Sequence, residues 1–111
     1  MRLPNWDNAI IPEEKLREYL LSEDHPVGRF KAAFFAQLGY TRDDWQHLEA
    51  DLRSQHLSLD AHEGEPTVYG RKFTITGPLT GPSGDAAEVV SVWVIRRGED
   101  LPRFVTAYPS T

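Results

Sequence analysis

Hydrophobic positions recur at helical spacing in the first half of the chain. Leu16, Tyr19 and Leu20 form one apolar stripe. The stripe follows the stretch 11–14 (IPEE), in which a proline and two acidic residues suit the first turn of a helix. The polar stretch 22–24 then interrupts the pattern. The sequence therefore predicts a first helix that begins near residue 11 and ends before residue 22.

The same spacing predicts two further helices. The second runs from about Pro26 to Leu38 and ends at Gly39, since glycine readily adopts the left-handed conformation that terminates helices. Thr41 is the expected N-cap of the third helix. The apolar stripe of this helix consists of Trp45, Leu48 and Leu52.

From about Thr67 onward the pattern changes to strands. The stretch VYGRKFTITGPL alternates apolar and polar residues, EVVSVWVI is rich in β-branched residues, and RFVTAYP forms a last strand. Because the turns between these strands are short, they favour an antiparallel meander. We predict an α+β fold with two to three N-terminal helices packed on a small three- to four-stranded antiparallel β-meander. The chain forms a single domain, 1–111, with a helical half at about 11–55 and the meander at about 66–109. The sequence leaves open whether a fourth strand forms around 63–68.

Charge and composition narrow the function classes. The chain has 111 residues, no cysteine and a formal net charge of −5. The absence of cysteine excludes disulfides and thiolate zinc sites, and no apolar run approaches a membrane span. We therefore expect a cytoplasmic protein. The acidic balance argues against non-specific coating of nucleic acid but permits a local cationic cleft.

Lys31 is the first candidate for chemistry. The expected core stripe of the second helix comprises Val27, Phe30, Phe34 and Leu38. At about 100° per residue, Lys31 lies roughly 40° from the centre of that stripe. A lysine in this position either extends to the surface along its aliphatic stem or meets an anion. In the second case it lines a cleft and binds a phosphate.

His25 precedes the second helix, at a helix start that favours anions, and imidazole is the usual acid–base group near neutral pH. The alternative is an ordinary loop histidine. Four other residues, which fit no established metal-ligand spacing, are a weak alternative metal set: His56, Asp60, His62 and Glu63. We expect neither a metal nor another cofactor.

Thr106 and Tyr108 stand two residues apart on the last strand and are expected to share one face with Phe104. Trp93 on the preceding strand is a candidate for a similar, partly buried position. Hydroxyl groups beside a lysine and a histidine suit phosphodiester chemistry. Threonine and tyrosine are also good strand formers, so a purely structural role is the alternative.

Four stretches carry a resemblance that covers roughly Pro4 to Pro109: LREYLLSEDHPVGRFKAAFFAQLGY, YGRKFTITGPLTGPSG, VVSVWVI and PRFVTAYP. Together they give an HPxGxxK…VTAYP pattern that resembles an uncharacterised bacterial family of small domains, found alone and within toxin-like proteins. The order of helices and meander also resembles the barnase–EndoU–colicin–RelE group of metal-independent ribonucleases. Those proteins cleave RNA by attack of the 2′-hydroxyl on the adjacent phosphate.

The resemblance implies a site and a function. The implied catalytic residues are His25, Lys31, Thr106 and Tyr108. The implied substrate contacts are Arg29, Arg71, Lys72 and Trp93. The implied function is a ribonuclease toxin with an RNA substrate and a cognate antitoxin or immunity protein. A non-catalytic protein-binding module on the same scaffold is the alternative, which the net negative charge favours.

Overall fold

A computed structural model describes residues 1–110 of the chain. Three helices precede a four-stranded antiparallel sheet, so the predicted fold class is confirmed. A short 3₁₀ turn, Trp6–Asn8, comes first. Helix α1 comprises Glu13–Lys15 and a π-helical continuation, Leu16–Leu20; α2 is Gly28–Gln37; α3 is Trp45–Asp51 with a π-helical continuation, Leu52–His56. Within residues 1–110, no helix is long and apolar enough to cross a bilayer.

The sheet has the strand order β1-β2-β3-β4, and every neighbouring pair is antiparallel. The strands are β1 (Ala61–Glu63), β2 (Gly70–Thr80), β3 (Ala86–Arg96) and β4 (Arg103–Pro109). The fourth strand, whose existence the sequence left open, is β1, which ends where the candidate stretch 63–68 begins. β4 is an edge strand, and this edge carries the candidate site.

One face of the sheet packs against the helices, and the other carries mostly exposed or half-buried side chains. Phe73, Trp93 and Phe104 are buried on the packed face, against helical residues that include Leu20 and Phe35. Side chains alternate along a strand, so every second residue of β2 and β3 points to the outer face. That outer face carries Lys72, Thr74 and Thr76 of β2 opposite Val94, Val92 and Val90 of β3.

The predicted buried face of α2 was wrong at its N-terminal end, whereas Leu38 is buried and Phe34 is partly buried against the core, as predicted. The buried residues of α2 are Gly28, Ala32 and Phe35. Val27 and Phe30, expected in the core, are 56% and 69% exposed. A Cβ at Gly28 would overlap the backbone carbonyl oxygen of Tyr19. This contact between backbones rotates the helix, because it is available only on the side of the glycine.

The third helix begins later than its predicted cap. α3 starts at Trp45, and Asp44 occupies the N-cap position without a side-chain hydrogen bond to the helix. Thr41 lies instead in a preceding turn, where its carbonyl oxygen accepts a hydrogen bond of 3.2 Å from the Asp44 N–H. The threonine therefore closes a turn and caps no helix.

A β-bulge separates Phe104 from Thr106. Trp93 pairs with Phe104 and the adjacent Val92 pairs with Thr106, so Val105 is the extra residue. Phe104 consequently faces the core, whereas Thr106 lies on the outer side of β4. The expectation that these two residues share one face was wrong, because period-two alternation does not continue through a bulge.

Candidate functional site

Three elements meet in a short chain of hydrogen bonds at the β4 edge. Lys31 of α2 donates from Nζ to the phenolic oxygen of Tyr19 in α1 at 2.8 Å. The same phenolic oxygen lies 3.1 Å from Oγ1 of Thr106 on β4. All three side chains are partly buried. The arrangement depends on Gly28, because the close approach of α2 to α1 at that residue brings the lysine within reach of the phenol.

Two ammonium groups approach the Tyr19 ring. Nζ of Lys31 lies 5.3 Å from the ring centroid and Nζ of Lys15 lies 5.9 Å from it. Across residues 1–110, neither lysine has a carboxylate within 4 Å. The local charge is therefore positive although the chain as a whole is acidic. Such a place suits an anionic ligand.

The phenol of Tyr19 is electrostatically activated. Partial burial acts to raise its pKa, but hydrogen bonds from Lys31 and Thr106 and the charges of Lys31 and Lys15 outweigh burial. The pKa of Tyr19 consequently lies below its ordinary value of 10.0. A tyrosine with a lowered pKa beside a cation is a suitable proton-transfer group, because its ionised form is more accessible near neutral pH.

His25 joins this cluster through its ring but has a capping role. Its imidazole packs edge-on against Tyr19, with ring centroids 5.0 Å apart. Its Nδ1 accepts hydrogen bonds from the N–H groups of Val27 and Gly28, both at 3.0 Å. These bonds assign the ring proton to Nε2 in the neutral form. Two of the N–H groups expected to attract an anion at this helix start are therefore already occupied.

The structure separates Tyr108 and Trp93 from the cluster. Tyr108 pairs with Val90 on the outer face of the sheet, is 38% exposed, and makes no side-chain hydrogen bond within residues 1–110. Trp93 is fully buried and donates from Nε1 to Oγ of Ser91 at 2.9 Å. A side chain enclosed in this way has no surface to offer a substrate, so we do not retain Trp93 as a substrate contact.

The three predicted basic contacts lie in three different environments. Arg71 makes two hydrogen bonds to the carboxylate of Glu63, at 2.9 and 3.0 Å. The guanidinium of Arg29 lies 4.8 Å from the ring centroid of Phe30 on the solvent side of α2. Lys72 points to the outer face of the sheet opposite Val94. None of them contacts the Tyr19 cluster directly.

His56 is buried in a polar network that the sequence did not indicate. Its Nδ1 lies 2.8 Å from Oγ of Ser91, and its Nε2 lies 3.3 Å from the carbonyl oxygen of Gly77 and 3.2 Å from that of Val89. Because Nε2 faces two carbonyl oxygens, which can only accept, Nε2 carries the ring proton, and the serine hydroxyl donates to Nδ1. Burial lowers the pKa of His56, although the carbonyl contacts and Glu88 act against it. This histidine has a structural role.

The weak metal set does not assemble. Both ring nitrogens of His56 have partners inside the core, whereas His62 is exposed on β1. Within residues 1–110, no three histidine or carboxylate side chains converge closely enough to hold an ion.

Sequence reasoning missed Tyr19 and Lys15. Tyr19 stands in the apolar stripe of α1 and therefore looks like a core residue. Its hydroxyl gains a role only because α2 crosses α1 at Gly28, a contact that no local pattern shows. A tyrosine on an apolar stripe, close in sequence to a lysine at the border of the next helix, was the available signal.

Comparison with known proteins adds the family and a structural neighbour. The structure is similar to a chain of a solved contact-dependent growth inhibition toxin–immunity protein complex from Klebsiella pneumoniae 342, with a TM-score of 0.60 and 18% sequence identity. The match covers 96% of this chain and 97% of that chain, which shows a shared fold. No curated protein matches the sequence. The sequence profile of the domain of unknown function DUF6883 matches residues 2–111, and the chain therefore belongs to that family.

Proposed function

We propose that this protein is a metal-independent ribonuclease toxin of a bacterial toxin–antitoxin or toxin–immunity pair. It acts on cytoplasmic RNA by attack of the 2′-hydroxyl on the adjacent phosphate. The observation that carries the proposal is the contact of Lys31 with Tyr19, whose pKa is lowered and around which two lysines stand with no carboxylate partner among residues 1–110. Cleavage of a phosphodiester requires a proton-transfer group and positive charge, and this site offers both.

The Tyr19–Lys31 pair takes a proton from the 2′-hydroxyl and delivers one to the 5′-oxygen. The ionised oxygen of Tyr19 accepts the proton of the 2′-hydroxyl as the 2′-oxygen bonds to phosphorus. The bond between phosphorus and the 5′-oxygen breaks, and that oxygen takes a proton from the Lys31 ammonium. Tyr19 then returns its proton to Lys31 along their 2.8 Å hydrogen bond, which restores the starting state.

The remaining residues stabilise the negative charge of the phosphorane and position the catalytic groups. Lys15 and Lys31 offset the additional negative charge of the phosphorane. Thr106 holds the phenolic oxygen of Tyr19 in place. His25 fixes the start of α2, and with it the approach of Lys31, because its Nδ1 caps the helix. A catalytic base role for His25 would require a proton on Nδ1 and would break both capping bonds, so we assign this residue a positioning role.

A groove beside α2 favours the second candidate function, a non-catalytic protein-binding module. The groove has a volume of about 480 Å³, and its lining includes three small side chains, Ala32, Ala33 and Ala36. The lining also contains both acidic and basic residues: Glu23, Asp24, Arg29, Arg42 and Asp43. Small residues allow close approach of a helix, and mixed charges suit a specific protein partner. In a toxin, the same groove fits an antitoxin or immunity protein.

The distinguishing experiment is cleavage of RNA by the purified protein in the presence of a chelator. The proposal predicts cleavage, with products that end in a 2′,3′-cyclic phosphate or a 3′-phosphate, and growth arrest when the protein is induced without its partner. Activity that disappears on chelation and returns with a divalent ion would contradict the mechanism. No cleavage and no growth arrest would leave the binding module as the function.

A further inference from the structure

A hydrogen-bonded turn before β2 carries two exposed side chains, one apolar and one aromatic. Val68 is 77% exposed and Tyr69 is 75% exposed. The turn is closed by backbone hydrogen bonds in both directions between Thr67 and Gly70, at 2.9 and 3.2 Å, while the Tyr69 N–H donates to Oγ1 of Thr67 at 3.1 Å. The carbonyl oxygen of Tyr69 also accepts a hydrogen bond from the N–H of Arg97 at 3.2 Å. The hydrogen-bonded backbone of this turn therefore directs the two side chains toward solvent.

This turn forms one wall of a concavity on the outer face of the sheet. The concavity has a volume of about 500 Å³. It is lined by four apolar or aromatic residues and two arginines: Val68, Tyr69, Val94, Val105, Arg96 and Arg97. Among residues 1–110, no acidic side chain lines it. Lys72 lies directly opposite Val94 on the same face and adds a third positive charge.

The concavity and the Tyr19 cluster meet at adjacent residues of β4. Val105, the bulged residue, lines the concavity, and the next residue, Thr106, contacts the phenolic oxygen of Tyr19. Consecutive Cα atoms are about 3.8 Å apart, so the concavity and the Tyr19 cluster adjoin at the bulge. Without the bulge, alternation from the buried Phe104 would turn Thr106 toward the core, and the two sites would lie on opposite faces.

We propose that this concavity is a subsite for single-stranded RNA, in which Tyr69 stacks on a base of the substrate strand and Arg96, Arg97 and Lys72 bind the backbone. The inference rests on the proposed ribonuclease function. An exposed aromatic ring beside several cations is the arrangement that binds single strands without requiring a particular sequence. The positive charge of this face, on a chain of net charge −5, favours a polyanion over an average protein surface.

Binding to a short, fluorescently labelled 2′-O-methyl RNA tests the subsite independently of cleavage, because the blocked 2′-oxygen cannot attack. We expect the wild-type protein to bind and Tyr69→Ser to bind at least about 10-fold more weakly. Arg97→Gln should reduce the slope of log affinity against log salt by about 0.7. Phe30→Ser is the matched control, because Phe30 is a similarly exposed aromatic residue on α2, and it should bind like the wild type. Thermal unfolding of each variant verifies that it is folded.

The outcomes separate the subsite from the catalytic proposal. Binding that depends on Tyr69 supports the subsite even if natural RNA is not cleaved, in which case the catalytic proposal fails alone. If the wild-type protein cleaves natural RNA and Tyr69→Ser leaves binding of the blocked RNA unchanged, the subsite is overturned alone. An absence of binding to the blocked RNA also overturns the subsite and leaves a protein partner as the occupant of this face.

Discussion

Lys31 and Tyr19 lie 12 positions apart in sequence and are joined by a 2.8 Å hydrogen bond from the ammonium group to the phenolic oxygen. The lysine stands at the border of the buried face of α2, where full burial of its charge would be costly. Its stem follows the helix and its charge reaches a polar oxygen and an aromatic ring. The same contact that accommodates the lysine also activates the tyrosine.

Removal of the Lys31 charge should raise the pKa of Tyr19. In Lys31→Met the largest lowering contribution is lost, whereas the effect of burial, which acts upward, remains. We expect the spectroscopic titration of Tyr19, obtained as the difference between each protein and its Tyr19→Phe counterpart, to shift to higher pH. Stability should stay equal or rise slightly, because methionine keeps most of the stem. A titration that does not move would show that the two groups are not coupled in solution.

Gly28→Ala should destabilise the fold and reduce activity together. The added methyl group overlaps the carbonyl oxygen of Tyr19, so α2 must move away from α1 and carry Lys31 with it. We expect a loss of about 1–3 kcal/mol in the free energy of unfolding. Gly64→Ala is the control, because a Cβ there meets its nearest neighbour at 3.8 Å, and it should change stability by less than about 0.5 kcal/mol. Chemical denaturation measures both.

His56 should make the protein sensitive to acid. Because burial lowers the pKa of His56 in the folded state, the unfolded chain binds a proton near the ordinary value of 6.5 while the folded chain does not. The free energy of unfolding should therefore fall as the pH drops below about 6.5, by up to about 1.4 kcal/mol per pH unit. The fall should stop below the lowered pKa of the folded state.

His56→Gln disrupts the buried hydrogen bonds of the imidazole, so stability should be lower at neutral pH. It also removes the titration, so stability should depend less on pH between about 6.5 and the lowered value. His62→Gln, at an exposed position on β1, should keep the wild-type dependence. If both variants show the same pH dependence as the wild type, the network around His56 does not control acid stability.

The fold was largely predictable because its signals are local. Alternation and β-branched residues indicate the strands, and Gly39, with a φ of 97°, follows the end of α2 as the helix-stop signal predicts. The buried face of α2 was not predictable in this way. Phe30 looked like a core residue by its chemistry, but the approach of α2 to α1 at Gly28 left it in solvent.

The candidate site was only partly predictable for the same reason. Lys31 was expected near the strand of Thr106, and the structure links the two through Tyr19. Tyr19 itself could not be distinguished from a core aromatic residue, since its hydroxyl finds partners only through tertiary contacts. The bulge at Val105 likewise has no local signature, yet it determines on which face of the sheet Val105 and Thr106 lie.

The most direct test of the account is a double-mutant cycle of Tyr19→Phe and Lys31→Met, measured as single-turnover RNA cleavage in the presence of a chelator. Each single substitution should reduce the rate on the order of 100-fold or more. Because the two residues act as one proton-transfer unit, the double variant should be about as slow as the slower single variant. Tyr40→Phe, which removes a hydroxyl bonded to Asp51 away from the site, should lower stability without this loss of rate. Full activity in either single variant, or losses that simply multiply in the double variant, would contradict the account.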